Sequence, residues 1–250
     1  MDPTTEYFDE TARFYDAYYE AQDLEDVEFF RDLAGSTDGP VLEAACGTGR
    51  IYLELLEDGI DVDGFDASAG MLARLRERGA KAGLEPSVWQ ADMRDFAVER
   101  EYGLAIVAFR SFLHLLSIPE QLAALERFHE ALAPDGTLVI AAFAPSFDII
   151  CEQYGEWQEE SVTVEGESYQ IRTKQEIVDQ LDQIAEGTQQ VRNAEGDIVA
   201  ESSYRMVLIP RRQFELLLRD SPFGTWTVHG GFDREPLSSV EQEMVWEIEP

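Results

Sequence analysis

The sequence predicts an α/β fold: a seven-stranded, mostly parallel sheet with an antiparallel edge, and an antiparallel β insert after the fifth strand. Three observations predict it. From about residue 41 to 143, short apolar runs alternate with stretches of helical spacing, the signature of parallel strands joined by right-handed crossovers. The first run reads Val41-Leu42-Glu43-Ala44-Ala45-Cys46-Gly47-Thr48-Gly49-Arg50, an acid and then a glycine pair, where a ligand can lie close to the backbone. After Pro145 helical spacing gives way to extended segments separated by turn residues.

The elements follow in order. Residues 4 to 34 carry aromatic and apolar side chains at helical spacing, among them Tyr7, Phe8, Phe14, Tyr15, Tyr18, Val27 and Phe30, until Gly35-Ser36-Thr37-Asp38-Gly39-Pro40 breaks the pattern. Beyond the first strand the spacing predicts a helix near 48–58, a strand at 60–65, a helix at 68–82, strands at 86–90 and 103–109, a helix at 118–133 and a strand at 136–143. The insert shows extended segments at 161–164, 168–171, 175–184, 188–192 and 198–209, with turn signals at Glu165-Gly166, Glu186-Gly187 and 193–197. A helix at 211–219 and strands at 225–228 and 244–248 close the sheet. The expected division is a helical lid at 1–36, a ligand-binding core at 37–145, the insert at 146–210, and closing elements at 211–250.

What the glycine loop omits is informative. A dinucleotide fingerprint requires a third glycine where Tyr52 stands, because there the helix packs on its strand and pyrophosphate meets the helix N-terminus. An acid near the loop suits a ligand with a cationic amine and no phosphate. Here the chain resembles the class I S-adenosylmethionine (SAM)-dependent methyltransferases, whose first motif is E/D-x-x-x-G-x-G. The resemblance runs through Gly64-Phe65-Asp66-Ala67-Ser68, Gln90-Ala91-Asp92-Met93, the run Leu104 to Phe109 and the turn and strand Leu132 to Ile140. It implies a Rossmann-like sheet and SAM as cofactor.

The resemblance also implies roles. Glu43, Ala44, Gly47 and Gly49 would form the cofactor loop, and Asp66, with Ala67 and Met71 beside it, would take the ribose hydroxyls. Asp92 would meet the adenine amino group and Met93 its ring, with Phe109 ending the fourth strand beside the cofactor. Asp66 also fits a helix N-cap. The segment Tyr7-Phe8-Asp9-Glu10-Thr11-Ala12-Arg13-Phe14-Tyr15-Asp16 resembles the lid of many small-molecule methyltransferases, in which a tyrosine hydroxyl reaches the methionyl carboxylate or the acceptor. Tyr7 is accordingly a cofactor-binding candidate and Tyr15 a catalytic one. The insert resembles that of the group containing sugar-amine, glycine and quinone methyltransferases, where it roofs the acceptor pocket.

Methyl transfer from a sulfonium is an in-line displacement, so the protein must align donor and acceptor, exclude water and leave the acceptor deprotonated. No metal is required. His114, just past the fourth strand, is the candidate base, since imidazole ordinarily titrates near pH 6.5; it equally fits a helix-start hydrogen bond. His129 lies beside Arg127 and Glu130 and is expected in solvent. Arg172, Tyr204 and Arg205 could meet an anionic acceptor group, but the sequence does not orient their strands. The expected acceptor is a small-molecule amine or hydroxyl more than a carbon nucleophile. The competing readings are a SAM-binding protein without transfer and, disfavoured by Tyr52, an NAD-dependent oxidoreductase.

Composition bounds the setting. Fifty-one acids against 19 bases give a net charge of -32, spread over the whole length, and Lys81 and Lys174 are the only lysines. Such a surface repels nucleic acid phosphates and itself, and salt relieves the self-repulsion because the Debye length falls to about 3 Å at 1 M. The composition resembles that of halophilic proteins. Two cysteines, Cys46 and Cys151, give no disulfide framework, and no apolar run reaches the roughly 18 residues of a membrane span. The expectation is a cytoplasmic protein, monomer or homodimer, with neither a membrane nor nucleic acid as partner.

Overall fold

Glycine and β-branched spacing set the strands of the chain, whose computed structural model describes residues 14–16 and 26–250. The first five strands are β1 (Val41–Ala44), β2 (Val62–Asp66), β3 (Ser87–Gln90), β4 (Tyr102–Val107) and β5 (Leu132–Phe143). The insert contributes β6 (Gln158–Val164), β7 (Glu167–Asp179), β8 (Ile184–Arg192) and β9 (Ile198–Val207), and the chain closes with β10 (Thr225–Gly230) and β11 (Glu243–Glu249). Seven strands form one sheet in the order β10-β11-β5-β4-β1-β2-β3; the other four form a second in the order β6-β7-β8-β9. β1 pairs in parallel with β2 and β4, and β4 with β5, whereas β11 runs antiparallel to both β5 and β10. The carboxyl ends of β1, β2 and β4 therefore share one edge, where ligands bind in open parallel sheets.

The helices are α1 (Asp26–Ser36), α2 (Tyr52–Glu57), α3 (Ala69–Ala82), α4 (Ile118–Ala131), α5 (Phe147–Gln153) and α6 (Arg211–Asp220). α3 begins where the Ser68 hydroxyl accepts the Met71 N–H at 3.0 Å and stops at left-handed Gly83. α4 starts in a reciprocal capping box between Ser117 and Glu120. Tyr52 shows why the third glycine is absent. Its ring is fully buried against Gly64, where a Cβ would stand 3.0 Å away, and its hydroxyl donates to the Val62 carbonyl at 3.0 Å and accepts the Ser87 N–H at 2.9 Å. The position that a dinucleotide fold keeps empty here rivets a helix to β2 and β3.

The insert corrects two expectations. Glu186-Gly187 lies within β8 and makes no turn, because Gly187 faces Tyr204 on β9, and a Cβ there would stand 2.4 Å from the ring. The reversal comes at residues 180–183, where the Asp179 carboxylate accepts the N–H groups of Leu181 at 2.8 Å and Asp182 at 3.0 Å. The second correction is α5, which lies where no helix was expected. Ser146 caps it, and its seven residues, apolar at Phe147, Ile149 and Ile150 but none of them buried, are too few to establish helical spacing. No described helix is long and apolar enough to cross a membrane.

The inward face of the insert changes character along its strands. At one end Val162, Val164, Tyr169, Ile171 and Val191 pack with Phe14; at the other Ala185 and Met206 join the main core. Its middle is polar. The same N-terminal segment is fastened to the other sheet, since Asp16 pairs with Arg74 and Arg78 of α3 at 3.0 Å each. Residues 14–16 thus link the two sheets, with Tyr15 between the anchors. Of the expected lid, Tyr7 and the other residues of 1–13 and 17–25 lie outside the described residues, whereas 26–36 form α1, which buries Phe30 and Ala34 in the core.

Candidate active site

A cavity of about 510 Å³ lies between the carboxyl edge of the parallel sheet and the inward face of the insert. Its walls come from both. At the parallel-sheet end, Ala45, Gly47 and Gly49 adopt φ of 53°, 54° and 87°, turning the chain sharply after β1. The two motif glycines serve different ends. Gly47 lines the cavity and a Cβ on it would meet nothing within 4 Å, whereas a Cβ on Gly49 would stand 2.8 Å from Leu75 and 2.9 Å from Leu53. One leaves room for a ligand; the other seats the loop on the helices.

Asp66 ends β2, lines the cavity and is only 8% exposed. Its Oδ2 accepts the Gly47 N–H and its Oδ1 the Ser68 N–H, both at 2.8 Å. The carboxylate therefore ties the loop after β1 to the start of α3 while facing the ligand space. Ala67, Met71, Met93 and Phe109 line the same space. Asp92 lines it too, yet its oxygens accept Arg94 Nε at 2.8 Å and a second guanidinium N–H at 2.6 Å, and Arg94 also bonds Glu120 at 2.6 Å. Burial works against the Asp92 charge, but the Arg94 bonds outweigh it and hold the carboxyl below its usual range.

Glu43 and Ala44 are buried behind the loop and do not line the cavity. Glu43 Oε2 has no hydrogen-bond partner among the described residues. Burial pushes this carboxyl up to about 8, with Asp26 and Asp66 adding to the rise and Arg50 opposing it. Arg50 is committed elsewhere: it bonds Asp26 at 2.5 and 2.7 Å and lies over the Phe109 ring at 5.4 Å. Cys46 is a packed residue, its thiol pushed up by burial.

Beyond β4, Phe109 and Arg110 take φ of 51° and 67°, an uncommon pair of left-handed non-glycine residues that turns the chain into a short 3₁₀ helix, Ser111–His114. That turn brings His114 to the cavity wall. Its Nδ1 lies 2.7 Å from the Arg205 carbonyl and its ring meets Tyr204 edge-on at 5.9 Å. A carbonyl can only accept, so Nδ1 carries the hydrogen and Nε2 holds the lone pair in the neutral ring. Tyr15 lines the cavity between the two sheets. Burial raises its phenol well above the ordinary value, Arg50 opposes the rise, and Asp66, Asp16 and Tyr204 add to it.

The insert supplies residues that the sequence could not orient. Tyr204 faces the cavity, and Thr173, Gln175 and Gln189 do so with it. Arg172 and Arg205 face the other side: Arg172 lies over Trp157 at 4.2 Å, and Arg205 pairs with Glu186 at 2.8 Å. Period-two alternation decides this, and Gly187, making room for the Tyr204 ring, was its one visible signal. His129 is not in open solvent, because its ring packs edge-on against Phe223 at 5.3 Å.

A family model for a methyltransferase domain matches residues 41–136. The dTDP-3-amino-3,6-dideoxy-alpha-D-glucopyranose N,N-dimethyltransferase of Streptomyces fradiae is 29% identical over 221 residues, covering 85% of this chain and 83% of that one. A glycine/sarcosine N-methyltransferase of Halorhodospira halochloris is 35% identical over 114 residues, covering 45% of this chain and 42% of its own length. The solved structure of the CcbJ methyltransferase from Streptomyces caelestis is similar with a TM-score of 0.80 at 25% identity, covering 100% of this chain and 99% of that one.

Proposed function

Because the chain belongs to the class I SAM-dependent methyltransferases, we propose that it methylates an amine on a small molecule held between the parallel sheet and the β insert. One observation carries the reading: a single cavity joins Gly47 and Asp66 at the sheet edge to His114, Tyr15 and Tyr204 beneath the insert. The residues present fit the donor, since Gly47 leaves open the space a side chain would fill and Asp66 keeps a carboxylate on the cavity wall. Gly47, Asp66, Ala67, Met71, Met93 and Phe109 would hold it. Bound SAM supplies an electrophilic methyl group on a sulfonium.

The protein's own part is alignment, exclusion of water and proton control. The Arg205 carbonyl accepts the His114 Nδ1–H, so Nε2 is the ring nitrogen that would take the proton of an ammonium acceptor. Tyr15 remains a neutral phenol through the physiological range and so donates a hydrogen bond rather than accepting a proton. Labelled SAM offered to an amine panel and, separately, to cellular RNA and protein tests the reading: label confined to macromolecules would refute it. Replacing His114 with Gln should lower turnover most near neutral pH, where an ordinary imidazole is largely neutral while the acceptor amine is still protonated, and the loss should shrink at acid pH, where the imidazole is protonated too. Full turnover at every pH would leave alignment alone as the mechanism.

On the same reading the enzyme works in a salt-rich cytoplasm as a monomer or homodimer and does not act on nucleic acid. The net charge of -32 supports this, because phosphates are repelled and self-repulsion needs screening. The melting temperature should rise from low salt into multimolar potassium chloride; a flat or falling trend would end the halophilic reading.

A further inference from the structure

We infer that Gln189 reads an uncharged hydroxyl or amide group of the acceptor, and that this acceptor is a phosphate-free amine; the inference rests on the amine reading above. Gln189 is 5% exposed and lines the cavity, so what stays accessible of its side chain opens on the ligand space. A polar group enclosed without a partner is costly until something supplies one. Thr173 Oγ1, on the adjacent strand and also at the cavity, is buried with no partner among the described residues. Next to it the Gln175 amide donates to the Tyr204 hydroxyl at 3.2 Å. Donors and acceptors thus converge on one patch of the roof, and every one of them is neutral.

Alternation explains the neutrality. Lys174, Glu176 and Glu186 fall on positions of opposite parity to Thr173, Gln175 and Gln189, so the strands' charges lie on the outer face. The cations that do line the cavity are engaged: Arg94 by Asp92 and Glu120, and Arg110 by Glu243 at 3.1 Å. Glu156 and Glu241 add negative charge at exposed positions of the wall. A phosphate or diphosphate entering here would lose water and find, among the described residues, only cations already paired with carboxylates. Molar salt does not remove that cost, because screening acts on distant charges and not on groups in contact. A hydroxylated ammonium meets the opposite situation, with neutral partners for its oxygens and acids for its charge.

The experiment uses the whole chain with labelled SAM in multimolar potassium chloride and three acceptors. They are a neutral methyl glycoside of an amino sugar, its analogue lacking the ring hydroxyls, and the same amino sugar as a nucleoside diphosphate. The neutral glycoside should exceed the diphosphate in kcat/KM by about tenfold or more, and Gln189→Leu should bring the glycoside and its deoxygenated analogue to within about twofold of each other. Gln189→Asn, which keeps the amide on a shorter stem, should restore part of that discrimination. SAM affinity, measured alongside, reports an intact fold. Preference for the diphosphate, or equal losses on both amines in Gln189→Leu, would overturn the inference while leaving amine methylation standing. Bound SAM with no amine methylated would overturn the amine reading together with it.

Discussion

The two sheets face one cavity and furnish it by different rules. In the seven-stranded sheet the ligand-facing groups sit at strand ends, on loops whose direction the parallel topology dictates: Gly47 after β1, Asp66 ending β2, Phe109 after β4. In the four-stranded sheet they sit mid-strand, where a residue faces inward or outward according to a two-residue period. A strand end tolerates few alternatives, because the loop there must satisfy its backbone groups, as Asp66 does for Gly47 and Ser68. A mid-strand face tolerates many, since the ladder is indifferent to which side chains it carries. On the proposed function, the parallel sheet would hold the donor and the insert would be where the acceptor can be changed.

Asp66→Ala tests that division most severely. The change removes the acceptor of two backbone N–H groups and the carboxylate on the cavity wall, so SAM binding should weaken by about 1.5 to 3 kcal/mol, roughly 10- to 150-fold. Calorimetry would read it directly. Unchanged affinity would remove Asp66 from the site and blur the distinction between the sheets.

Gly187→Val is the converse test. Gly187 shows no left-handed backbone, so the new side chain's conflict is with the Tyr204 ring alone, and that ring is the far end of a side chain that can rotate away. Folding should survive, SAM affinity should hold, and kcat/KM for the acceptor should fall by roughly tenfold through lost positioning. Equal losses in SAM affinity and acceptor turnover would mean that the sheets do not act separately.

The same contrast separates what the sequence disclosed from what it withheld. Alternation through residue 143 and the acid-glycine loop were enough to place the parallel sheet, its antiparallel pair and the cavity-lining positions Gly47, Asp66 and Phe109, because there fold and site depend on the same spacing. Gly49 belongs to that motif yet is required because a Cβ there would collide with Leu53 and Leu75, since one glycine symbol stands for two physical needs. Glu43 was legible as a residue but not as a buried one behind the loop. In the insert the strands were visible and their faces were not, so Tyr204 was named together with the outward-facing Arg172 and Arg205, and Thr173 and Gln189 were missed as wall residues. A turn expected at Gly187 had concealed the register that would have shown them.

The smallest expected effect comes from Glu43, and it sharpens the comparison because its source lies in the parallel sheet alone. Burial raises this carboxyl from its ordinary 4.5 to about 8, so between those values the folded chain holds a proton that the unfolded chain has released. Folding then takes up a proton, and stability falls as pH rises through that window, with the full cost present above about 8. Thr173, Gln175 and Gln189 of the insert do not titrate and add nothing to this slope. Glu43→Gln removes the titration while keeping the shape, so without SAM the variant should melt close to the parent at pH 5. At pH 8 it should melt higher by roughly 2 to 4 °C if about 1 kcal/mol is recovered. A variant less stable by the same amount at both pH values would mean that the charged carboxylate has a native partner. Glu43 would then join Asp66 in bracing the loop, and would no longer be a cost the sheet carries for an acid buried behind that loop.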